Sequence, residues 1–242
     1  MTRLFNGIVA FGSVLLLAVT LIGAGFAAVA IPDAATATLS RAFSGCDQPS
    51  TPFTADELTS IAIAGKHYTF DDNDREKLDA AIAEANAAAE ADGRAAASTR
   101  ESAARSLPTD AISHLDDVYR VASVAKPALV IVAVLCIAGL AHVAVRISRR
   151  TLGRTLMAGG GLVLAAFCAL GAWAAIDFDG LFATFHSLFF QAGTWTFPYD
   201  SLLITLYPTA FWMGMGGIWL AVTCIASIIC IIVGRLLCSK TE

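Results

Sequence analysis

Few side chains in this sequence can do chemistry near neutral pH, and two of its four histidines stand in patterns that could use them. His114 lies in Asp110-Ala111-Ile112-Ser113-His114-Leu115-Asp116-Asp117-Val118. If the segment is helical, Asp110 and Asp117, four residues before and three after, share the face of His114. Either carboxylate could orient the imidazole, fixing its tautomer and leaving the other nitrogen as a base or donor. An exposed histidine in a polar capping segment would show the same spacing, since many exposed helical pairs do nothing. The spacing leaves these two readings level.

His186 sits in a different setting. From Phe178 to Phe190, helical spacing puts Phe178, Phe182, Phe185 and Phe189 on one stripe, with His186 beside it and Phe182 and Phe190 four residues to either side. Asp179 shares the face but is two turns away, about 10 Å along a helix, so any orienting partner must come from elsewhere. The aromatic run continues through Trp195, Phe197, Tyr199, Tyr207, Phe211 and Trp212, with no Lys or Arg between residues 177 and 212. An interfacial aromatic belt with an incidental histidine is the plain alternative. The density, far above the chain's 9% aromatic average, favours a surface for acyl chains and a glyceryl group.

The remaining candidates are weaker. His67 has bland neighbours in Gly65-Lys66-His67-Tyr68, and His142 lies one turn from Arg146 with no carboxylate nearby; both read as structural. Cys136, Cys168, Cys224 and Cys230 fall in apolar runs and Cys238 near one end, which is no disulfide framework. Cys46 has no activating base, and Asp47 beside it would raise its pKa, so all six cysteines read as unreactive.

What must position these residues is a membrane protein. The 242 residues are 57% hydrophobic and 15% charged, with a mean hydropathy of +0.68, unlike an ordinary soluble domain. A net charge of −4 offers no basic surface, so nucleic acid is not an expected partner. A span needs roughly 20 apolar residues, and charge is costly in the hydrocarbon core. The charge-free runs therefore predict transmembrane helices over 4–31, 127–147, 153–176 and 213–235, with the aromatic connection 177–212 between the last two. Small-x-small patterns at Ala28-Val29-Ala30 and Ala35-Thr36-Ala37 resemble a signal-peptide cleavage site. The apolar run from Leu4 to Ile31 exceeds the roughly 7–15 residues of a secretory core, so the first helix is expected to be retained.

Arg146, Arg149, Arg150 and Arg154 between spans two and three place that loop in the cytoplasm; Arg3, Arg235 and Lys240 fall on the same side. Both termini are then cytoplasmic, and residues 32–126 form an extracytoplasmic cap. In this cap the sequence predicts a Thr/Ser/Pro-rich connection to about Pro52, a short helix over Thr54 to Lys66, and a solvated Ala-rich helical insert from Asp72 to about Arg105. A further helix capped by Thr109 or Asp110 runs to Ala125, ahead of a break at Lys126-Pro127. The expected fold class is thus an all-α integral membrane protein with four transmembrane helices and a mainly helical cap between spans one and two.

Two motifs resemble those of the bacterial lipoprotein intramolecular transacylases, small membrane proteins with four spans and an extracellular cap. Ile112-Ser113-His114-Leu115-Asp116-Asp117-Val118 looks like the family's Ser-His-x-x-Asp-Val signature. Phe185 to Phe190, followed by Trp195, Leu203-Ile204 and Pro208-Thr209-Ala210-Phe211, looks like its Phe-His-x-x-Phe-Phe segment. Tyr119 stands where the family is expected to carry Lys, and the Ala-rich insert is unusual for it.

The resemblance implies a bacterial cytoplasmic-membrane acyltransferase that needs no cofactor and no metal. It would move an acyl chain from the sn-2 oxygen of a diacylglyceryl lipoprotein to the N-terminal cysteine amine, giving a lyso-form product. His114 and His186 would be the catalytic pair and Asp117 an orienting carboxylate. Phe182, Phe185, Phe189, Phe190, Trp195 and Phe211 would line the pocket, and a diacylated lipoprotein with membrane lipid would be the partners. Two rival readings stand beside it. One is a metal-dependent membrane hydrolase with His114, Asp117 and His186 as ligands. The other is a non-enzymatic lipid-binding or assembly protein whose Gly159-Gly160-Gly161, Gly214, Gly216 and Gly217 pack helices.

Overall fold

A computed structural model of the chain describes residues 2–239; Lys240, used above for orientation, lies outside them. Among the described residues every regular element is helical: α1 Thr2–Ala30, α2 Asp33–Phe43, α3 Ala55–Phe70, α4 Arg75–Ala91, α5 Thr109–His142, α6 Arg149–Ile176, α7 Phe178–Phe189, α8 Leu202–Leu206 and α9 Thr209–Ser239. The chain divides into two compact units. One takes the described residues up to Val29, Ala125–Phe178 and those from Gly217 onward; the other takes Ala30–Val124 and Asp179–Gly216.

The first unit carries apolar helix. Four helical segments, Arg3–Ala30, Thr109–Ile147, Arg149–Ile176 and Thr209–Ser239, are long and apolar enough to cross a membrane. Large apolar side chains such as Phe11, Val130, Ile137 and Ile229 are exposed on them, as lipid contact requires. Inside, Ala18, Val163 and Phe167 are buried together, and the buried Ser13 and Ser227 hydroxyls donate to carbonyls one turn back. Of the glycines expected to pack helices, a Cβ at Gly159 or Gly160 would strike Leu17 or the Ser227 carbonyl within 2.7 Å, whereas Gly161, Gly216 and Gly217 face open space. A pairing not foreseen brings Gly153 and Gly234 together, each 2.5 Å from the other's carbonyl once a Cβ is built. His142 lies against Phe5 and 3.4 Å from the Asn6 amide oxygen.

The expected break at Lys126-Pro127 does not occur, because α5 continues through Pro127. A proline removes one backbone donor and leaves the remaining ladder intact, and apolar helices tolerate that loss. All five charged residues of α5, namely Asp110, Asp116, Asp117, Arg120 and Lys126, precede Pro127. The stretch apolar enough to cross therefore begins after it.

The second unit builds a core of its own. α3 starts at a complete capping box, in which the Thr54 hydroxyl accepts from the Glu57 amide and the Glu57 carboxylate from the Thr54 amide. Where a connection was expected, α2 forms behind Pro32, with Asp33 in its first turn and Thr36, Leu39 and Ser40 buried. The Ala-rich insert also departs from expectation, because α4 is packed. Leu78, Ile82, Ala85 and Ala89 repeat at helical spacing and join Leu58 and Ile61 of α3, Ile112 and Leu115 of α5, and Leu202 and Leu206 of α8 in one core. Arg105, 3% exposed, closes the insert by donating to Asn86 Oδ1 (2.8 Å), Glu90 Oε1 (2.8 Å), the Ala96 carbonyl (2.6 Å) and Thr99 Oγ1 (2.7 Å).

Candidate active site

His114 and His186 both belong to the second unit. The first turns of α5 bury Ala111, Ile112 and Leu115 in the core, which fixes the helix around His114 and leaves that imidazole 8% exposed. On α7, His186 is the one buried residue, at 9% exposed. Beyond α7 the chain turns back at Gly193, whose φ of +87° favours glycine, and brings Trp195 and Phe197 to the histidines.

The two imidazole centroids lie 6.1 Å apart. Phe182 at 4.0 Å and Trp195 at 4.9 Å stack at shallow angles on His186. Between ring centroids, Phe190 lies 5.0 Å from His114, nearly perpendicular to it, and 5.7 Å from His186, while Phe197 is 5.6 Å from His114. Three of the expected pocket residues, Phe182, Phe190 and Trp195, thus surround the pair. Phe185 meets His186 edge-on at 5.7 Å, although about half of it is exposed. Phe189 is equally exposed and packs on Phe185 and Phe190. Phe211 is buried against Tyr207 and Trp212. Phe197 was not foreseen as a site residue; its spacing of two from Trp195 in a non-helical segment is the only signal.

The expected orienting carboxylates do not meet His114. Asp117 accepts from the Arg120 guanidinium at 2.7 Å, and Asp110 accepts from the Ala111 amide at 2.9 Å. His114 Nδ1 is buried without a hydrogen-bond partner. Helical spacing also brings Arg120 within reach of Asp117, and a fixed cation outcompetes a buried neutral imidazole. Asp116 is bound too, accepting from the Tyr68 hydroxyl at 2.5 Å. Burial and that carboxylate push the Tyr68 phenol up to about 12. His67, bland in sequence, sits 2.9 Å from Asp33.

His186 finds its orienting partner within its own helix. Its Nδ1–H donates to the Phe182 carbonyl at 2.9 Å, so the lone pair of the neutral ring resides on Nε2. Burial holds the His186 pKa below the usual histidine value, with the Phe182 bond opposing. Burial and the neighbouring His186 pull His114 down to about 4, against a smaller upward pull from Asp117. Both rings are therefore neutral at neutral pH. Among the described residues no three His, Cys, Asp or Glu side chains gather to hold a metal ion, and the Asp117–Arg120 pair explains why the suggested trio does not assemble.

Fold and site together define a class: an all-α, multi-pass membrane protein that holds two neutral, buried histidines in an aromatic shell. The family described as "Lipoprotein intramolecular transacylase Lit" matches residues 94–212, a span containing both histidines and the aromatic segment. A solved structure of the membrane-integral lipoprotein intramolecular transacylase Lit from Bacillus cereus is similar to the whole chain. It is 18% identical, with 98% of this chain and 97% of that chain covered and a TM-score of 0.74. Two variants of that protein also match at 17% identity. A histidine-to-arginine variant has a TM-score of 0.68 over 99% of this chain and 95% of that one; a histidine-to-alanine variant has 0.69 over 99% and 96%. Among curated proteins nothing matches. Over residues 94–212 the chain is thus similar to the lipoprotein intramolecular transacylases, which are acyltransferases.

Proposed function

We propose that His114 and His186 are a catalytic pair that moves an acyl chain from the sn-2 oxygen of a diacylglyceryl-cysteine to the α-amino group of the same cysteine. The product is an N-acyl, S-monoacylglyceryl lyso-form lipoprotein. The observation that carries this reading is two neutral imidazoles from separate helices, 6.1 Å apart and enclosed by aromatic rings. Both reacting groups belong to one substrate, so confinement supplies effective molarity and no enzyme nucleophile is required. The aromatic shell suits acyl chains.

The tautomer of His186 favours it as the base. With Nδ1–H committed to Phe182, Nε2 takes the amine proton as the nitrogen–carbon bond forms. His114, with an N–H at its free Nδ1, would hold the oxygen that becomes negative in the tetrahedral intermediate. The proton on His186 is then delivered to the glyceryl oxygen as its bond to the acyl carbon breaks, and both imidazoles end neutral. Asp117 acts at a distance, its charge tempering the fall in the His114 pKa.

The partners are a diacylated lipoprotein and the membrane lipid around it. The protein works in the bacterial cytoplasmic membrane with both termini in the cytoplasm and residues 32–126 and 177–212 outside, a reading supported by the distribution of Lys and Arg. Mass spectrometry of the lipopeptide from a reporter lipoprotein, made in a diacyl-producing host, tests it. Wild type converts the reporter to the N-acyl lyso form, and His114→Ala and His186→Ala at equal membrane levels do not. A reporter left diacylated by wild type refutes the activity and favours a lipid-binding role.

A further inference from the structure

Besides His114 Nδ1, one other polar atom of the site is buried without a partner among the described residues: the indole nitrogen Nε1 of Trp195. The two differ in kind. An imidazole nitrogen can donate, accept or titrate, but an indole N–H is a donor only and does not titrate. It can be neither base nor acid. Leaving a buried donor unmet costs about 1–3 kcal/mol, and phenylalanine could stack on His186 with a smaller ring and without that cost. Tryptophan here is therefore matched to an acceptor that arrives with the substrate.

We propose that Trp195 Nε1–H hydrogen-bonds the carbonyl oxygen of the migrating acyl group and stabilises the negative charge that develops on it. This rests on the acyl-migration reading above and adds a second fixed donor beside His114. Three substrate acceptors compete for the indole. The amine must keep its lone pair for attack, so a donor there would slow the reaction. The glyceryl oxygen receives the migrating proton. The carbonyl oxygen gains full charge in the tetrahedral intermediate and receives no proton at any step, so a donor that cannot be lost to titration fits it. The ring is held in place by its stack on His186, 4.9 Å between centroids, and by the turn at Gly193 just before it. The ring that carries the donor is thus set next to the base that starts the reaction.

The test uses the purified full-length protein and a synthetic diacylglyceryl-cysteine lipopeptide. Two variants are compared with wild type: Trp195→Phe, which lacks the N–H and part of the ring, and replacement of Trp195 by benzothienylalanine, which keeps the bicyclic shape with sulfur in place of N–H. Both are expected to lower kcat by about 10²–10³-fold, the range for losing one oxyanion donor. KM should change little, and the pH profile should keep its shape because the indole does not titrate. Full activity in the benzothienylalanine protein, with or without loss in Trp195→Phe, would show that the ring only packs and would overturn the proposal. Failure of folded wild type to convert the lipopeptide would instead remove the acyl-migration reading and the proposal with it.

Discussion

Arg105→Ala should loosen the whole Ala-rich insert, and its effect can be sized from the contacts it removes. The guanidinium is 3% exposed and ties Asn86 and Glu90 of α4 to the Ala96 carbonyl and the Thr99 hydroxyl. Without it, Asn86 Oδ1 stays buried with no donor. Glu90 keeps one cation, since Arg100 donates to its other oxygen at 2.5 Å. Breaking a buried, hydrogen-bonded pair costs roughly 3–5 kcal/mol, and the surviving Arg100 contact argues for the lower figure. About 3 kcal/mol corresponds to roughly a hundredfold rise in the locally open state. Hydrogen–deuterium exchange of the purified protein in detergent should then show protection across residues 75–105 falling by about that factor. Activity should fall with it, because Ile112 and Leu115 around His114 share the core of Leu78 and Ile82. A loss of protection under about tenfold would mean that the insert is solvated, as its composition suggests, and would refute the argument.

Two further predictions concern charge and sidedness. Because burial and the neighbouring His186 depress His114 to about 4 in the folded protein, below the usual histidine value, the unfolded chain binds the proton first. Stability present above about pH 6.5 should be lost as pH falls toward about 4, so the thermal midpoint should drop in that window and His114→Phe should flatten the drop; a midpoint insensitive to pH there would contradict the burial. Cys46 is exposed and is the one cysteine in residues 32–126, with its thiol pKa raised by burial and by Asp47. A membrane-impermeant maleimide should label it on intact cells, slowly near neutral pH and faster in Asp47→Asn; labelling only after permeabilisation would reverse the proposed topology.

Signals carried within one helix were easily read. Uncharged runs announce apolar helices because a charge inside a bilayer is costly, and the spacing of Phe182, His186 and Phe190 is a local property of α7. Signals that depend on distant partners were not. α4 looked solvated because alanine contributes little to a hydrophobic pattern, yet its small side chains let Leu78 and Ile82 reach the core. Asp117 looked like a partner for His114, but helical spacing offered it Arg120 as well, and a charged donor prevails. Phe197 and the unmet Trp195 donor lie in a non-helical segment whose path follows from the turn at Gly193. The approach of His114 to His186 is a contact between α5 and α7 that no spacing encodes; only resemblance to a family suggested it.

The most direct test of acyl migration is a crossover experiment with the purified protein. A diacylglyceryl-cysteine lipopeptide carrying an isotope-labelled sn-2 chain is mixed with an unlabelled one of different peptide sequence, and tandem mass spectrometry locates the chain in each product. The label is expected to move from the glyceryl oxygen to the cysteine nitrogen of its own peptide and never to the other, and His186→Ala to abolish the transfer. Label on the second peptide, or a transferred chain from the sn-1 position, would contradict it.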